Sequence, residues 1–126
     1  MKVGFIGLGA VGAKLAGTLV RNGIDLTVFD LDRDRMALLT GQGALAGHGP
    51  AQVMRDCDVV ITSLPSPAAS QAVLDQLLPE IGPGKTWIEM STTDPEAIKL
   101  QVAAVVAKGG HGADCPVSGG CHRAAT

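Results

Sequence analysis

Aromatic residues are almost absent from this 126-residue chain, which has two phenylalanines, one tryptophan and no tyrosine. Proteins that bind single-stranded nucleic acids stack the bases on aromatic side chains, so this scarcity disfavours such a surface. Positive charge is scarce as well, because ten lysines and arginines stand against twelve acidic residues and form no basic run. Clustered positive charge attracts nucleic acid and anionic membranes, and we therefore expect neither as a partner.

Long apolar segments are also missing. No stretch approaches the roughly 20 apolar residues that a membrane-spanning helix needs, and glycines interrupt the apolar N-terminal segment. That segment carries a single lysine, which is typical of a core strand rather than of a signal peptide. Three cysteines, an odd number, favour free thiols in a reducing compartment. We therefore expect one cytoplasmic domain over residues 1–126.

Glycine, in contrast, is abundant at 17 residues, and the N-terminal glycines have a specific spacing. An apolar run stops at Gly7-x-Gly9-x-x-Gly12, and a helical pattern follows at once. This spacing permits a tight turn, a close approach of the backbone to a pyrophosphate, and close packing of the helix on the sheet. The N-terminus of the helix adds free N–H groups and a partial positive charge. The sequence predicts a dinucleotide site, with an ordinary glycine turn as the alternative, at Gly7, Leu8, Gly9, Ala10, Val11 and Gly12.

An acidic residue follows the second predicted strand. Asp30 comes directly after residues 25–29, about where the dinucleotide fingerprint places a carboxylate that accepts hydrogen bonds from the adenosine ribose. The alternative role for Asp30 is to cap the following helix, which Asp32 or Asp34 could do equally well. We favour the ribose role.

The residues around Asp30 bear on the choice between NAD and NADP. A carboxylate at this position repels a 2′-phosphate, and the next residues, Leu31 and Asp32, bring no positive charge to offset it. Arg33 and Arg35 lie a little further on and could fold back toward the cofactor. We expect NAD as the cofactor, with NADP less favoured.

Strands alternate with helices along the rest of the chain. Strands separated by single helices pair in parallel, because each crossover returns the chain to the same end of the sheet. The sequence therefore predicts a doubly wound α/β (Rossmann) fold, in which helices cover both faces of a mostly parallel sheet in three layers. On the first helix we expect one buried side made of Val11, Leu15, Leu19 and Val20. The predicted strands are 2–6, 25–29, 44–46, 58–64, 86–90 and 112–117, and the predicted helices are 10–22, 33–40, a short one from Pro50, 66–78 and 95–108.

Five polar or glycine-rich segments follow predicted strands directly. The carboxyl ends of parallel strands meet at one edge of a sheet, which is where doubly wound folds bind their ligands. We therefore expect these segments to converge on one site. They are the glycine turn, Asp30, Leu64-Pro65-Ser66, Ser91-Thr92-Thr93 and Ser118-Gly119-Gly120.

These motifs resemble the 3-hydroxyisobutyrate dehydrogenase family, a group of β-hydroxyacid dehydrogenases related to 6-phosphogluconate dehydrogenase. The resemblance covers the whole chain, with the motifs in the family's order. It implies a hydride transfer between a nicotinamide and a small 3-hydroxy acid of the 3-hydroxyisobutyrate or 2-hydroxy-3-oxopropionate type. The matching segments are Gly4-Phe5-Ile6-Gly7-Leu8-Gly9-x-x-Gly12, Leu64-Pro65, Ser91-Thr92-x-Asp94-Pro95 and Asp114-x-Pro116-Val117-Ser118-Gly119-Gly120.

The resemblance also implies roles for individual residues. The glycine turn, Asp30, Leu31 and Asp32 would hold the adenosine and the pyrophosphate. Leu64, Pro65 and Ser66 would line the cofactor site, and Thr92 would contact the nicotinamide side. The substrate carboxylate would be held by a hydroxyl and backbone N–H groups, as such a planar anion requires; those groups belong to Ser118, Gly119 and Gly120.

The chain departs from the family pattern at several positions. Val11 replaces a usual methionine and Cys115 a usual alanine. The family's catalytic lysine lies on a helix beyond Thr126, as does the helical domain through which the parent protein would form a homo-oligomer. We therefore expect no catalytic residue within 1–126 and no activity from this segment alone. Two alternatives stay open: the corresponding domain of an imine reductase, against which Ser118-Gly119-Gly120 speaks, and a dinucleotide-binding module without catalysis.

A group of potential metal ligands lies near the end of the sequence. Thiolate and imidazole groups can bind Zn²⁺, but their spacing here matches no common zinc motif. We expect no metal site there, and we expect Cys57 to be a core residue. The group consists of His111, Asp114, Cys115, Cys121 and His122.

Overall fold

The computed structural model describes residues 1–90 and 95–114. Within these ranges the chain alternates strands and helices from the first strand to the last. The strands are β1 (Lys2–Ile6), β2 (Asp25–Phe29), β3 (Leu45–Ala46), β4 (Val59–Thr62), β5 (Thr86–Glu89) and β6 (His111–Asp114). The helices are α1 (Ala10–Arg21), α2 (Arg33–Thr40), α3 (Pro50–Asp56), α4 (Pro67–Leu77) and α5 (Pro95–Ala107), with a 3₁₀ turn at Leu78–Glu80.

The strands form one sheet in the order β3-β2-β1-β4-β5-β6, and every neighbouring pair is parallel. The order reverses between β1 and β4, so the loops that leave these two strands diverge to opposite faces of the sheet. This is the doubly wound α/β fold that the sequence predicts. The reversal opens a crevice at the carboxyl ends of β1 and β4, where such folds bind ligands.

Two apolar cores lie on opposite faces of the sheet. Helices α1 and α2 cover one face, where Phe5 and Leu26 of the sheet pack with Ala16 and Leu39. Helices α3, α4 and α5 cover the other face, which contains the single tryptophan, Trp87. Strands buried on both faces are apolar at consecutive positions, which is why β4 reads as an unbroken β-branched run rather than an alternating one.

Three of the four residues predicted for the buried side of helix α1 pack against the core, but its most buried positions are small residues. Its buried residues are Gly12, Ala16 and Gly17, whereas Val11 is 45% exposed. The small residues bring the helix close to the sheet, since a Cβ on Gly12 would lie 2.2 Å from the carbonyl oxygen of Gly7. Placing Val11 on the buried side was therefore wrong, while Leu15, Leu19 and Val20 pack at the margin of the core.

Several strands and helices differ at their ends from the predicted ranges. Strand β4 ends at Thr62 rather than at residue 64, because its neighbour β1 turns away at Gly7. Strand β6 begins at His111, and the predicted continuation through 115–117 lies outside the described residues.

Among the helices that the structure describes, none combines the length and the apolar character needed to cross a membrane.

Candidate functional site

A crevice of about 670 Å³ opens at the point where the strand order reverses. We call it the switch-point crevice. Its floor is formed by the ends of β1 and β4, and its walls come from the loops after β2 and β3 and from helix α4. Six residues that the sequence singled out line it together: Gly7, Gly9, Asp30, Leu31, Leu64 and Pro65.

The turn after β1 has the geometry that the first glycine was expected to provide. Gly7 has a φ of +98°, and its N–H donates to the carbonyl of Phe29 at 3.0 Å. A Cβ at this position would lie 2.0 Å from the carbonyl oxygen of Ser63 on the neighbouring strand exit. Only glycine satisfies both the left-handed backbone and this close approach.

Gly9 is a glycine for a different reason. It immediately precedes α1 with an ordinary φ of −65°, and a Cβ built on it would meet no atom of the described residues within 4 Å. Neither backbone strain nor packing against the protein therefore requires glycine here. The space in front of Gly9 is the crevice itself, so the missing side chain leaves room for a ligand to approach the backbone.

The N-terminus of α1 suits an anion. Among the described residues no side chain caps this helix end, and its first turn contains no acidic residue. The first N–H groups of a helix lack partners within the helix and carry a partial positive charge. A pyrophosphate placed over Gly9 would satisfy those groups, and the residues present fit the phosphate half of a dinucleotide.

Asp30 connects the end of β2 to the glycine turn. Its Oδ2 accepts the N–H of Leu8 at 2.6 Å, and its Oδ1 accepts the N–H of Asp32 at 2.8 Å. The cap of helix α2 comes from Asp32, whose Oδ1 accepts the N–H groups of Asp34 and Arg35. The alternative capping role for Asp30 is therefore wrong, and its half-buried carboxylate faces the crevice.

The wall opposite Asp30 is apolar. Leu64 and Pro65 leave β4 there, and Ala69, Ala72 and Val73 of helix α4 continue the surface. Ser66 caps α4 through its Oγ, which accepts the N–H of Ala69 at 3.1 Å. An apolar wall opposite a carboxylate matches a ligand with a flat apolar base at one end and hydroxyl groups beside it.

Other predicted residues lie near the crevice without lining it. Leu8 buries its side chain in the core and contributes only its N–H, while Ala10 and Val11 occupy the exposed first turn of α1. Gly12 packs closely against the backbone of Gly7, and Asp32 caps helix α2. Four further predicted site residues lie outside the described residues: Thr92, Ser118, Gly119 and Gly120.

Some lining residues escaped the sequence reasoning. His48 and Gly49 follow strand β3, so the rule applied to the other strand exits would have found them. Gln76 projects from a helix and no local pattern marks it, whereas Arg35, which the sequence indicated could fold back toward the cofactor, does line the crevice. Their place in the crevice depends on how α2 and α4 pack against the sheet.

A second polar group, also missed, lies beneath the carboxyl ends of β4 and β5. Glu89 is 0% exposed, and its Oε2 accepts hydrogen bonds from Thr62 Oγ1 at 3.0 Å and from Ser70 Oγ. Trp87 Nε1 donates to Thr62 Oγ1 at 3.1 Å. We call Thr62, Ser70, Trp87 and Glu89 the Glu89 cluster. It ties α4 to β4 and β5, and a lone acid at the end of an apolar strand is its only sequence signal.

Asp114 lies beside this cluster, since it pairs with Glu89 in the register of β5 and β6. Partial burial raises the pKa of Asp114, and the negative charge of Glu89 raises it further. Cys57 is a buried free thiol as predicted, and burial raises its pKa as well. In 1–90 and 95–114 no three potential ligands cluster as a metal site would need, and Cys115, Cys121 and His122 lie outside those ranges.

The family model for the NAD-binding domain of 6-phosphogluconate dehydrogenase matches residues 2–126. A Dictyostelium discoideum protein named probable 3-hydroxyisobutyrate dehydrogenase, mitochondrial, is 39% identical over 124 residues, which are 94% of this chain and 38% of that protein. Cytokine-like nuclear factor N-PAC of Xenopus tropicalis is 33% identical over 121 residues, which are 94% of this chain and 23% of that protein.

The same relationship is visible in three dimensions. A structure of Mycobacterium tuberculosis 3-hydroxyisobutyrate dehydrogenase with L-serine superposes with a TM-score of 0.88 at 26% identity, covering 96% of this chain and 42% of that one. An imine reductase also superposes well. The chain thus spans less than half the length of these relatives. Since they include proteins named as mitochondrial and as nuclear, a cytoplasmic location stays a prediction.

Proposed function

This chain belongs to the family of the NAD-binding domain of 6-phosphogluconate dehydrogenase, and from that premise we propose that it is the NAD-binding part of a β-hydroxyacid dehydrogenase. The observation that carries the proposal is the pairing of an open helix N-terminus at Gly9 with the carboxylate of Asp30 in one crevice. The first supports a pyrophosphate and the second the adenosine ribose beside it.

Asp30 has acceptor capacity left for a ribose. A carboxylate offers about four lone-pair sites, and one N–H bonds to each of its oxygens, from Leu8 on one and Asp32 on the other. Those two bonds hold the carboxylate in place, so both ribose hydroxyls can donate to a preoriented acceptor. The same negative charge would repel a 2′-phosphate, which supports NAD as the preferred cofactor and NADP as the weaker one.

The resemblance and the relatives together support a small 3-hydroxy acid as the substrate. Bound NAD would supply the hydride acceptor, and the M. tuberculosis relative was solved with L-serine, which carries a hydroxyl on carbon 3. In this proposal Thr92 would contact the nicotinamide side, and Ser118, Gly119 and Gly120 would hold the substrate carboxylate, as the resemblance implies. The proton of the hydroxyl would pass to a lysine beyond Thr126, since the lysines at 2, 14, 85, 99 and 108 read as strand-start, helix-surface and loop residues.

A second candidate function is a dinucleotide-binding module that does not catalyse. The relative that supports it is the protein named cytokine-like nuclear factor N-PAC, which shares this domain at 33% identity. Both candidates need the same crevice and differ only in turnover. Steady NADH formation by the full-length protein with a 3-hydroxy acid supports the dehydrogenase, whereas tight NAD binding without turnover supports the module. Residues 1–126 alone are expected to give no NADH under either.

The outer side of helix α5 is apolar, which supports the proposal that another part of the parent protein covers it. Leu100 is 73% exposed and Val106 is 56% exposed, and the helix is apolar around most of its circumference. A helix with apolar residues all around is normally buried on more than one side. We assign this cover to the helical domain that the resemblance implies, and residues 1–126 alone should then self-associate in light scattering.

The binding proposal is tested by calorimetric titration of the protein with NAD and with NADP. Asp30→Ala should weaken NAD binding by about 1.5–3 kcal/mol, the range for hydrogen bonds to a charged group, and should narrow the preference for NAD. The matched control is Asp25→Ala, which removes the same charge at the opposite end of β2 and should leave both affinities unchanged. If the unmutated, folded protein bound NADP as tightly as NAD, the role given to Asp30 would be wrong.

A further inference from the structure

Arg35 gives the switch-point crevice a positive charge that the NAD preference leaves unexplained. It lies in the first turn of α2 and lines the crevice together with Asp30 and Leu31. A guanidinium near the ribose would favour a 2′-phosphate, because its planar donors match phosphate oxygens. The ribose end of the crevice therefore contains both a group that repels NADP and a group suited to bind it.

Arg35 is paired with a neighbouring carboxylate. Its Nε lies 3.6 Å from Oδ2 of Asp32, one turn earlier on the same face of α2. Asp32 is itself fixed, since its Oδ1 accepts the N–H groups of Asp34 and Arg35 and its own N–H donates to Asp30. The carboxylate that pairs with Arg35 is thus anchored by the helix cap and cannot follow the arginine toward a ligand.

We propose that Asp32 is a specificity-determining residue that keeps Arg35 from serving as a 2′-phosphate contact. The proposal rests on the proposed function, because it concerns the same ribose site. While Asp32 is charged, it balances the guanidinium locally and adds a second negative charge beside Asp30. Discrimination against NADP is then shared by two carboxylates, one that faces the ribose and one that restrains the arginine.

The ion pair between Asp32 and Arg35 is weak, and one substitution removes it. Both side chains of the pair are about half exposed, at 52% and 49%, and exposed ion pairs are readily broken in water. Arg35 has a long flexible stem and already borders the crevice, so losing its partner would let it reach a phosphate without any movement of the backbone.

Asp32→Asn is the informative variant, because asparagine caps a helix as well as aspartate does. The substitution keeps the cap and removes the charge. It should lower the ratio of NAD to NADP affinity roughly fivefold, the scale of an exposed charge interaction gained and a repulsion lost. The measurement is titration of the purified protein with both cofactors at one fixed ionic strength, with unfolding curves to show that the cap is retained.

Two further variants separate the arginine from general electrostatics. Asp34→Asn removes the same charge from the same helical turn without removing the partner of Arg35, and it should leave the affinity ratio within about twofold of the unmutated value. The double variant Asp32→Asn with Arg35→Gln should return the ratio toward that of the unmutated protein. These two results, together with the shift in Asp32→Asn, support the proposal.

Other results overturn it. An equal shift in Asp32→Asn and Asp34→Asn, or a shift that keeps its full size when Arg35 is also replaced, would show that Arg35 takes no part. An unchanged ratio in Asp32→Asn, with NAD still bound tightly, would reject the role of Asp32 while leaving the proposed function intact. Failure of the unmutated protein to bind either cofactor would reject both proposals.

Discussion

The switch-point crevice and the Glu89 cluster lie on adjacent strands, yet they are built from different parts of the chain. The crevice presents mostly backbone groups and small or apolar side chains to an open space, with Asp30 as its anchored acid. The Glu89 cluster is closed, and its hydroxyl, indole and carboxylate groups satisfy one another away from solvent. One region is arranged for a ligand, and the other holds the elements around that ligand in place.

Substitutions should have different effects on stability and on binding in the two regions. Changes in the crevice should divide into those that affect folding and those that affect only binding, because some of its residues face protein and others face open space. Changes in the Glu89 cluster should affect stability throughout, since each of its polar groups already has a protein partner. Substitutions in both regions can therefore confirm or break this comparison.

The largest expected effect comes from Gly7→Ala. The substitution forces a left-handed backbone on an alanine and brings a Cβ to within 2.0 Å of the Ser63 carbonyl oxygen. Together, these penalties should lower the free energy of unfolding by about 3 kcal/mol. Urea denaturation followed by circular dichroism measures it, and a loss below about 1 kcal/mol would show that the turn relaxes more readily than its geometry indicates.

The next largest effect is expected from Glu89→Ala. It leaves the buried hydroxyls of Thr62 and Ser70 without their common acceptor, which should cost about 2–3 kcal/mol of unfolding free energy. Glu89→Gln keeps one acceptor oxygen and should cost about half as much.

Surface and binding controls accompany the Glu89 variants. Asp25→Ala removes an exposed carboxylate from the start of β2 and should change stability by less than about 0.5 kcal/mol. Where the Glu89 variants remain folded, their NAD affinity should stay close to that of the unmutated protein. If a folded Glu89 variant lost more free energy of NAD binding than free energy of unfolding, the two regions would act as one site. The contrast drawn here between them would then be wrong.

A smaller effect is expected from Gly9→Ala, the counterpart of Gly7→Ala within the same motif. A Cβ on Gly9 meets no described protein atom within 4 Å, and Gly9 lines the crevice to which we assign the pyrophosphate. Stability should fall by less than about 1 kcal/mol, the cost of a poorer N-cap, while NAD affinity should fall about tenfold, or 1.4 kcal/mol. Unchanged NAD binding in this variant would remove the pyrophosphate from its proposed place over α1.

These contrasts also explain how far the sequence could lead. Gly7 and Gly12 could be predicted because their spacing is that of a motif in which a tight turn and close packing admit only glycine at those positions. Asp30 could be predicted because it follows a strand at a fixed distance from the glycine turn. The fold followed from alternating strands and helices, whose connections leave few arrangements open.

The features that were missed depend on contacts between distant segments. Glu89 meets Ser70 and Thr62 only after α4 has packed across β4 and β5, and Gln76 lines the crevice only because of the position of α4. The wrong assignment of Val11 has a similar cause. Apolar periodicity favoured large side chains for the buried face of α1, whereas the short distance between helix and sheet admits only glycine and alanine there.

The smallest expected effect is a pH dependence of stability that comes from Asp114, beside the Glu89 cluster. Partial burial, followed by the charge of Glu89, raises the pKa of Asp114 above its ordinary value of 3.8. The folded protein then holds a proton that the unfolded chain releases. This contribution to stability is fully present below pH 3.8 and is lost as the pH rises through the raised pKa. Because the side chain is largely exposed, the contribution is small.

Comparing the unmutated protein with Asp114→Asn between pH 3 and pH 6 isolates this contribution, since other carboxylates titrate equally in both proteins. The difference in unfolding free energy between the two should change in favour of Asp114→Asn as the pH rises through this range, because only the unmutated protein must place a second negative charge beside Glu89. In a background of Glu89→Gln the change should shrink without vanishing, since burial is the larger of the two causes. A change of the opposite sign would mean that Asp114 is stabilised in its charged form and that the edge of the Glu89 cluster is not an acidic environment.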